Sequence, residues 1–353
     1  MTATNTLTSI FTAIANAIRG KNGLQTQYRP DQMAAAITNL PSGGTDYLAE
    51  RLNGTLTSYS SNDVTSVAQY AFYQCASLLS ISLQNAVSVG NQAFVHCANL
   101  VSAYLPSATS LGTFVFQSAT RLTSVTLGNI TSIPEGTFHG CTAFDGSGIN
   151  FANLTSIGKS AFYNTAITEL ISSSAFSYIG AQAFSNCTQL TTVDLPNTNS
   201  SEFSNIFSGC TALRSVNMPK QQVISQMCFQ NCTALTELEF DACTRFNGSA
   251  YNYSPIDGCS NLIQLTLGRN IREIRGCGSA YYALMRGCTS MERLILKATT
   301  PPSIGGGYLY SNTQGDVPPN FDGIYVPDAS VATYKAASNW SLYSAYIKPM
   351  SEL

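Results

Sequence analysis

A unit of about 22 residues, repeated ten times, constrains this chain more than any other feature of its sequence. Each unit carries the motif Phe-x-x-Cys or a close variant, and the last two units are the longest. Such self-similarity indicates a stack of supersecondary units rather than two or three ordinary domains. The first positions of the ten motifs are Phe72, Phe94, Phe116, Phe138, Phe162, Phe184, Phe207, Phe229, Ile256 and Met285.

A short strand is predicted after each motif. Leu78, Ile81 and Leu83 follow the first motif in the pattern Leu-x-x-Ile-x-Leu, and near relatives follow the others. That alternation is typical of a strand. One such unit cannot bury its own apolar side, so the units stack with their strands about 4.8 Å apart around a shared interior. The sequence thus predicts a parallel sheet on the order of 50 Å long.

The cysteines follow the repeat. Eight of the eleven fall at one position of the unit: Cys75, Cys97, Cys141, Cys187, Cys210, Cys232, Cys259 and Cys288. Ala119 and Thr165 stand at the same position in two units, which indicates a requirement for size. The chain has no Cys-x-x-Cys pair of the kind that zinc ribbons use. We expect a buried column of free thiols and predict no metal or cofactor.

The repeated unit resembles a known family. The pattern Ala-Phe-x-x-Cys-x-x-Leu-x-x-Ile-x-Leu, with Val-Gly or Ile-Gly ahead of the next Ala-Phe as at Val89-Gly90 and Ile157-Gly158, is similar to the BspA-like leucine-rich repeats of bacterial surface and phage-encoded proteins. The resemblance covers about two thirds of the chain. It implies a leucine-rich-repeat solenoid that serves adhesion or partner binding, and it implies no catalytic residues.

Residues 1–41 are not repeat, and they predict a helical hairpin. Its apolar stripe contains Leu7, Phe11, Ile14, Ile18, Met33 and Ile37. The hairpin either caps the first repeat or docks on another chain. Residues 14–21 and 29–37 are similar to the N-terminal segment of structural and tail-associated proteins of phages and prophages of Gram-positive bacteria. That similarity implies attachment to other virion proteins.

The remaining boundaries follow from composition and pattern. A flexible linker is expected at residues 42–46, the solenoid at 47–300 and a C-terminal cap at 301–353. In the cap, Ile324–Val326 predicts a last strand, followed by a helix that carries Val331 and Tyr334 and then continues toward Trp340, Tyr343 and Ile347. We expect Trp340 to seal the end of the solenoid. Stacking of Trp340 on a carbohydrate is the alternative.

Charge and hydropathy exclude several partners. Charged residues make up 10% of the chain and the net charge is -2, so the basic surface that binds nucleic acid is missing. No run of eighteen apolar residues occurs, and we therefore predict no insertion into a membrane. The first residues lack the basic and apolar segments of a signal peptide, so we expect a chain without that export signal.

Catalytic chemistry is not predicted. His96 and His139 are the only histidines, and each lies in the Phe-x-x-Cys turn, where other units carry Gln, Asn or Gly. Neither has a nucleophile and an acid at matching positions. Glu237 and Glu239 alternate outward from one strand, but two carboxylates that hydrolyse a glycosidic bond need a cleft between them, which an open sheet does not supply. We expect a non-enzymatic protein.

Two surfaces are candidates for binding. The outward strand positions of the concave face vary most in its later units, at Glu169, Asp194, Asn217, Glu237, Glu239 and Arg293, although a merely solvated face is the alternative. The two longest units and the cap also carry extra residues rich in Gly, Ser and Tyr. Insertions at one position of a solenoid stack into one patch, and Tyr among small residues suits recognition. The tyrosines are Tyr251, Tyr253, Tyr281, Tyr282, Tyr308 and Tyr310.

A virion protein reconciles adhesive repeats with a missing export signal, because phage particles assemble in the cytoplasm and leave by lysis. We therefore expect a phage tail or fibre-like protein that is held by its N-terminal module and presents its repeats to a host surface glycan or protein. The alternatives are a bacterial cell-surface adhesin and a structural spacer without a ligand. A homo-oligomer is compatible with the sequence, since repeated weak sites on a particle act together.

Overall fold

The computed structural model of the chain describes residues 54–172, 176–200, 203–247, 254–275, 283–305, 309–310 and 317–353. The helical hairpin and the linker that we predict before residue 47 lie outside these ranges. The described residues form a β-solenoid of about 12 turns in which every strand pair is parallel.

Each turn of the solenoid contributes strands of two to four residues. In chain order they are β1 (Ser58–Ser61), β2 (Ser66–Val67), β3 (Ser80–Leu83), β4 (Ser88–Val89), β5 (Ser102–Leu105), β6 (Ser110–Leu111), β7 (Ser124–Leu127), β8 (Ser132–Ile133), β9 (Ser156–Ile157), β10 (Glu169–Ile171), β11 (Tyr178–Ile179), β12 (Thr192–Asp194), β13 (Ser215–Asn217), β14 (Val223–Ile224), β15 (Glu237–Phe240), β16 (Arg245–Asn247), β17 (Gln264–Leu267), β18 (Glu273–Arg275), β19 (Arg293–Leu296), β20 (Ser303–Gly305), β21 (Gly323–Val326) and β22 (Ile347–Pro349). Short 3-10 helices lie at Phe151–Asn153, Asp328–Ser330, Ser341–Tyr343 and Met350–Glu352.

The strands form two ladders that run along the solenoid. The long-strand ladder consists of the sheets β1-β3-β5-β7, β10-β12-β13 and β15-β17-β19-β21-β22. The short-strand ladder consists of β2-β4-β6, β8-β9-β11 and β14-β16-β18-β20. The repeat sets the register, so that Ser58 pairs with Ser80 and Ser80 with Ser102. The long-strand ladder confirms the predicted strands, whereas the short-strand ladder was not predicted.

The interior of the solenoid is a stack of rings. The Phe72 and Phe94 rings lie 5.2 Å apart and nearly parallel, and the same stacking continues through Phe116 and Phe138 to Phe229. The Leu and Ile positions of the strands surround this stack and are almost completely buried. Because each ring contacts a ring in the turn before and the turn after, the apolar surface that one unit exposes is buried by its neighbours.

The cysteine column lies beside the ring stack, and the ten cysteines of the described residues are free and buried. Cys97 Sγ donates to the backbone oxygen of Phe72, one turn earlier, at 3.0 Å. Six further cysteines donate in the same way to the residue at the Phe position of the preceding turn. The predicted column of free thiols is confirmed, and the hydrogen bond adds a reason for cysteine beyond its size.

Two positions of the unit recur with a left-handed backbone. One is the residue before the cysteine position, as at His96 with φ 58° and Asn164 with φ 55°. The other lies two residues before the phenylalanine, as at Gln92 with φ 57°. Left-handed residues cost least when they are Gly, Asn or other polar residues. This conformation explains why Gln, Asn, Gly and His occupy the position before the cysteine.

One turn of the long-strand ladder has no strand. Between β7 and β10 the chain passes through Gly146 and Gly148, with φ 90° and 88°. A side chain at Gly148 would overlap the carbonyl oxygen of Val125. Phe144 fills the interior there, and its ring lies 4.5 Å from that of Phe138. The gap divides the face of the ladder into an N-terminal sheet and two later sheets.

The C-terminal end is closed by the predicted cap, although its elements differ from the prediction. Helix α1 (Val331–Ala336) ends at Ala337, whose backbone is extended, and Ile347 lies in β22 rather than on a helix. Trp340 is buried, its Nε1 donates to the backbone oxygen of Pro302 at 2.8 Å, and its ring packs against Tyr334. Trp340 therefore seals the end and is not exposed for stacking on a sugar.

Candidate binding face

Three of the predicted face residues lie on the middle sheet of the long-strand ladder. Asp194 pairs with Asn217 across β12 and β13, and Asn217 Nδ2 donates to Asp194 Oδ1 at 2.7 Å. Glu169 lies in the other outward column of this sheet, in register with Ser215 two strands away. Glu169 and Asn217 are exposed, and Asp194 is half-buried. The sequence thus brings one acid–amide pair and one separate carboxylate to an accessible face.

Glu237 and Glu239 lie on β15, at the start of the five-stranded sheet, and both are exposed. Lys297 crosses from two turns later, and its Nζ lies 2.6 Å from Glu239 Oε1 and 2.8 Å from Asp241 Oδ1. These two carboxylates raise the pKa of Lys297. Glu239 is therefore held in an ion pair, while Glu237 remains accessible. Lys297 and Asp241 were not among the predicted face residues, although both directly follow a strand.

The C-terminal part of this face is less accessible than the sequence predicts. Ile295 and Tyr325 occupy outward positions in register with Thr266, yet all three side chains are buried. Arg293 is half-buried, and its Nε has no hydrogen-bond partner. Asp322 accepts hydrogen bonds from Lys348 and from Tyr325, and these hold the pKa of its carboxyl below the ordinary value.

The six loop tyrosines are only partly within the described chain. Tyr251, Tyr253, Tyr281, Tyr282 and Tyr308 lie outside the described residues. Tyr310 is 2% exposed, and its ring packs edge-on against Phe321 at 5.0 Å and Tyr343 at 5.3 Å. Burial raises the pKa of its hydroxyl. Placing Tyr310 in the exposed patch was wrong, because its ring fills the interior of the cap.

The histidines occupy structural positions in the turns. His96 takes a left-handed backbone, and its ring lies 6.2 Å from that of Tyr73. His139 stacks on Tyr163 at 4.6 Å, and burial lowers its pKa. In the described ranges, no group of three His, Cys, Asp or Glu residues is placed to hold a metal ion. The same ranges contain no helix long and apolar enough to cross a membrane.

Comparison with solved structures gives several distant matches. A leucine rich cell surface protein from Faecalibacterium prausnitzii shares 21% identity over 68% of this chain and 79% of its own, with a TM-score of 0.39. A leucine-rich repeat protein from Bacteroides ovatus shares 19% over 75% and 88%, with a TM-score of 0.44. The pneumococcal vaccine antigen PcpA shares 13% over 83% and 77%, with a TM-score of 0.46. No curated protein matches significantly.

A family model gives the stronger result. The model described as BspA type leucine rich repeat region matches residues 55–153 and 155–283 in six copies. These stretches cover well over half of the chain, and they contain the stacked rings, all of the thiol column except Cys288, and most of both ladders. The chain therefore belongs to the BspA type leucine-rich-repeat family.

Proposed function

We propose that the chain is a non-enzymatic binding protein whose long-strand ladder presents a recognition face. The observation that carries the proposal is the contrast between the two sides of this ladder. Along the interior, phenylalanine and cysteine recur from turn to turn, whereas paired outward positions change in charge and size, as from Ile171 to Asp194 and from Glu237 to Gln264. A constant interior with a variable face is the arrangement of repeat scaffolds that bind partners.

The charged middle of the face is the proposed site. Glu169, Asp194, Asn217 and Glu237 are accessible there and are not held by a described cation. Glu239 and Arg293 are less suited to direct contact, because Glu239 pairs with Lys297 and Arg293 is half-buried. The loop tyrosines other than Tyr310 stay part of the proposal. They form a second proposed contact surface, because insertions at one position of a solenoid stack and Tyr among small residues suits recognition.

The proposed location is a phage virion, where residues 1–41 attach to other virion proteins and the solenoid faces a host surface glycan or protein. Support for this location comes from the similarity of residues 14–21 and 29–37 to phage tail-associated proteins. A bacterial cell-surface adhesin is the alternative, and a structural spacer without a ligand is the third candidate.

Labelling of purified particles and of intact cells with a gold-conjugated antibody against the solenoid separates these candidates. The proposal predicts gold on particles and its loss when residues 1–41 are deleted, while the deleted chain keeps the melting temperature of the solenoid. A matched variant changes only Leu7, Phe11 and Met33 to Ser, which removes half of the apolar stripe and leaves the length unchanged, and it should lose the gold in the same way. Gold on cells and none on particles would overturn the virion location.

A further inference from the structure

The N-terminal sheet of the long-strand ladder has an outward surface of uniform chemistry. Its eight outward positions on β1, β3, β5 and β7 form two columns of four, and every one of them carries a hydroxyl group. We call this set the hydroxyl panel, and its members are Ser58, Ser60, Ser80, Ser82, Ser102, Tyr104, Ser124 and Thr126. The pairing of the strands places each member directly opposite the next along its column, about 4.8 Å apart.

The hydroxyls of the panel are accessible, and no described residue uses them. All eight residues are exposed or half-buried, and none of their side chains hydrogen-bonds to another residue of the described chain. Hydroxyls elsewhere on the same turns behave differently, since Ser77 Oγ donates to Leu56 O and Ser107 Oγ donates to Gln84 O, each at 2.8 Å. The panel therefore keeps both the donor and the acceptor capacity of its hydroxyls for another molecule.

The panel is also neutral and bounded. No outward position between Ser58 and Thr126 carries a charge, and the first charged one on the ladder, Glu169, comes after the turn without a strand. Within the panel, Tyr104 is 44% exposed and stands between Ser82 and Thr126 in its column. An exposed ring flanked by hydroxyls offers an apolar face and hydrogen bonds at one site.

We propose that the hydroxyl panel binds a neutral glycan, with the Tyr104 ring stacked on a sugar face and the neighbouring serines exchanging hydrogen bonds with sugar hydroxyls. An uncharged ligand fits because the panel has no Lys or Arg for an anionic polymer and no carboxylate for a cationic one. A protein partner fits poorly, because protein interfaces concentrate their energy in buried aromatic and Arg anchors, and the panel has one aromatic residue.

The panel is distinct from the charged site proposed above, and its ligand does not depend on the virion location. Each strand of the panel adds only weak hydrogen bonds that compete with water. The affinity should therefore increase with the number of sugars that span successive strands. Polymeric or surface-bound glycans should therefore bind better than monosaccharides.

The test uses the full chain on an array of neutral and anionic oligosaccharides, followed by titration with a neutral oligosaccharide that binds. Tyr104→Ala should weaken binding about 2- to 12-fold, as expected for loss of one aromatic contact. Ser80→Ala combined with Ser82→Ala and Ser102→Ala should also weaken it. Leu342→Ala is the matched control, because Leu342 is an exposed apolar side chain in the C-terminal cap and lies outside both ladders, and it should change nothing. Melting temperatures report folding of each variant.

Binding should be the same at about 50 mM and about 500 mM salt, because no charge takes part. The proposal is overturned if no neutral oligosaccharide binds, if Tyr104→Ala and Leu342→Ala bind equally, or if only salt-sensitive anionic ligands or proteins bind. Neutral glycan binding without adsorption to cells would contradict the proposed function and leave the panel proposal standing, so the two failures are distinguishable.

Discussion

Cys232 Sγ donates a hydrogen bond to the backbone oxygen of Phe207, one turn earlier, at 3.1 Å. The backbone oxygen of Phe229 accepts two hydrogen bonds, one from Cys232 N at 3.1 Å and one from the thiol of Cys259 in the next turn. Each such phenylalanine oxygen thus accepts from the amide of its own turn and from the thiol of the following turn. The thiol column thus adds a side-chain link between neighbouring turns to the backbone hydrogen bonds that already join them there, such as that from Phe229 N to the backbone oxygen of Pro255 at 2.7 Å.

The first prediction concerns thiol reactivity. Burial raises the pKa of Cys187 to about 11 and that of Cys259 to about 12, so at pH 8 these groups stay protonated as well as inaccessible. Iodoacetamide should leave the ten described cysteines unlabelled in the native protein and label them in guanidinium. Peptide mass spectrometry locates each label. Rapid native labelling of Cys187 or Cys259 would contradict the buried column.

The second prediction concerns the left-handed positions. Gly140 has φ 73°, and the nearest atom to an added Cβ would be 3.7 Å away, so Gly140→Ala tests backbone strain without a clash. It should lower the free energy of unfolding by about 1–2 kcal/mol. Gly140→Asn should cost less, because Asn tolerates this conformation and occurs at the same position in Asn164. Urea unfolding measures both. Equal stabilities for Gly, Ala and Asn would contradict the assignment.

The third prediction concerns Asp257, which is 4% exposed and accepts from Arg286 Nε at 2.8 Å, from Arg286 Nη2 at 2.9 Å and from Gln230 Nε2 at 3.1 Å. Asp257→Asn removes the buried charge that faces the arginine and should lower the free energy of unfolding by about 2 kcal/mol. This is less than the loss expected for a fully buried pair, because Arg286 is partly exposed. The control Glu273→Gln breaks the exposed pair with Arg275 and should cost under about 1 kcal/mol. Equal costs in urea unfolding would refute the distinction.

The fourth prediction concerns pH. Burial lowers the pKa of His139 from its ordinary 6.5, so the folded state favours the neutral ring and the unfolded state binds the proton first. The stability that His139 contributes is therefore present above about pH 6.5 and is lost as the pH falls from that value toward the lowered pKa of the folded state. His139→Gln, which copies Gln117 at the matching position, should lose less stability between pH 7.5 and 5.5. An identical loss in both proteins would contradict this effect.

The interior of the solenoid could be predicted from the sequence because its periodicity is strong. Phe94, Leu100 and Cys97 recur in phase, and a recurring apolar position in a stacked unit has no other place than the core. The short-strand ladder could not be predicted in this way. Strands such as Ser88–Val89 have two residues and one apolar side chain, which is too short for an alternation to be visible.

The candidate face was only partly predictable. Outward positions such as Glu169 and Asp194 followed from alternation, but their exposure depends on residues that cross between turns. Lys297 reaches Glu239 from 58 residues away, and Tyr310 packs on Phe321 although its flanking Gly and Ser residues are typical of a loop. Local composition does not encode such contacts. The hydroxyl panel shows in the sequence only as uncharged residues, which indicate no ligand until their alignment is known.

The most direct test of the proposed binding face measures adsorption of the fluorescently labelled full chain to Gram-positive cells and to their purified walls. We predict saturable binding that falls at least tenfold when Glu169, Asp194, Asn217 and Glu237 are changed together to Ala. Changing Ser110, Ser132 and Arg245 on the exposed short-strand ladder to Ala should leave it intact. Equal adsorption by both variants and the unaltered chain, with melting temperatures unchanged, would contradict the claim that the charged middle of the long-strand face binds.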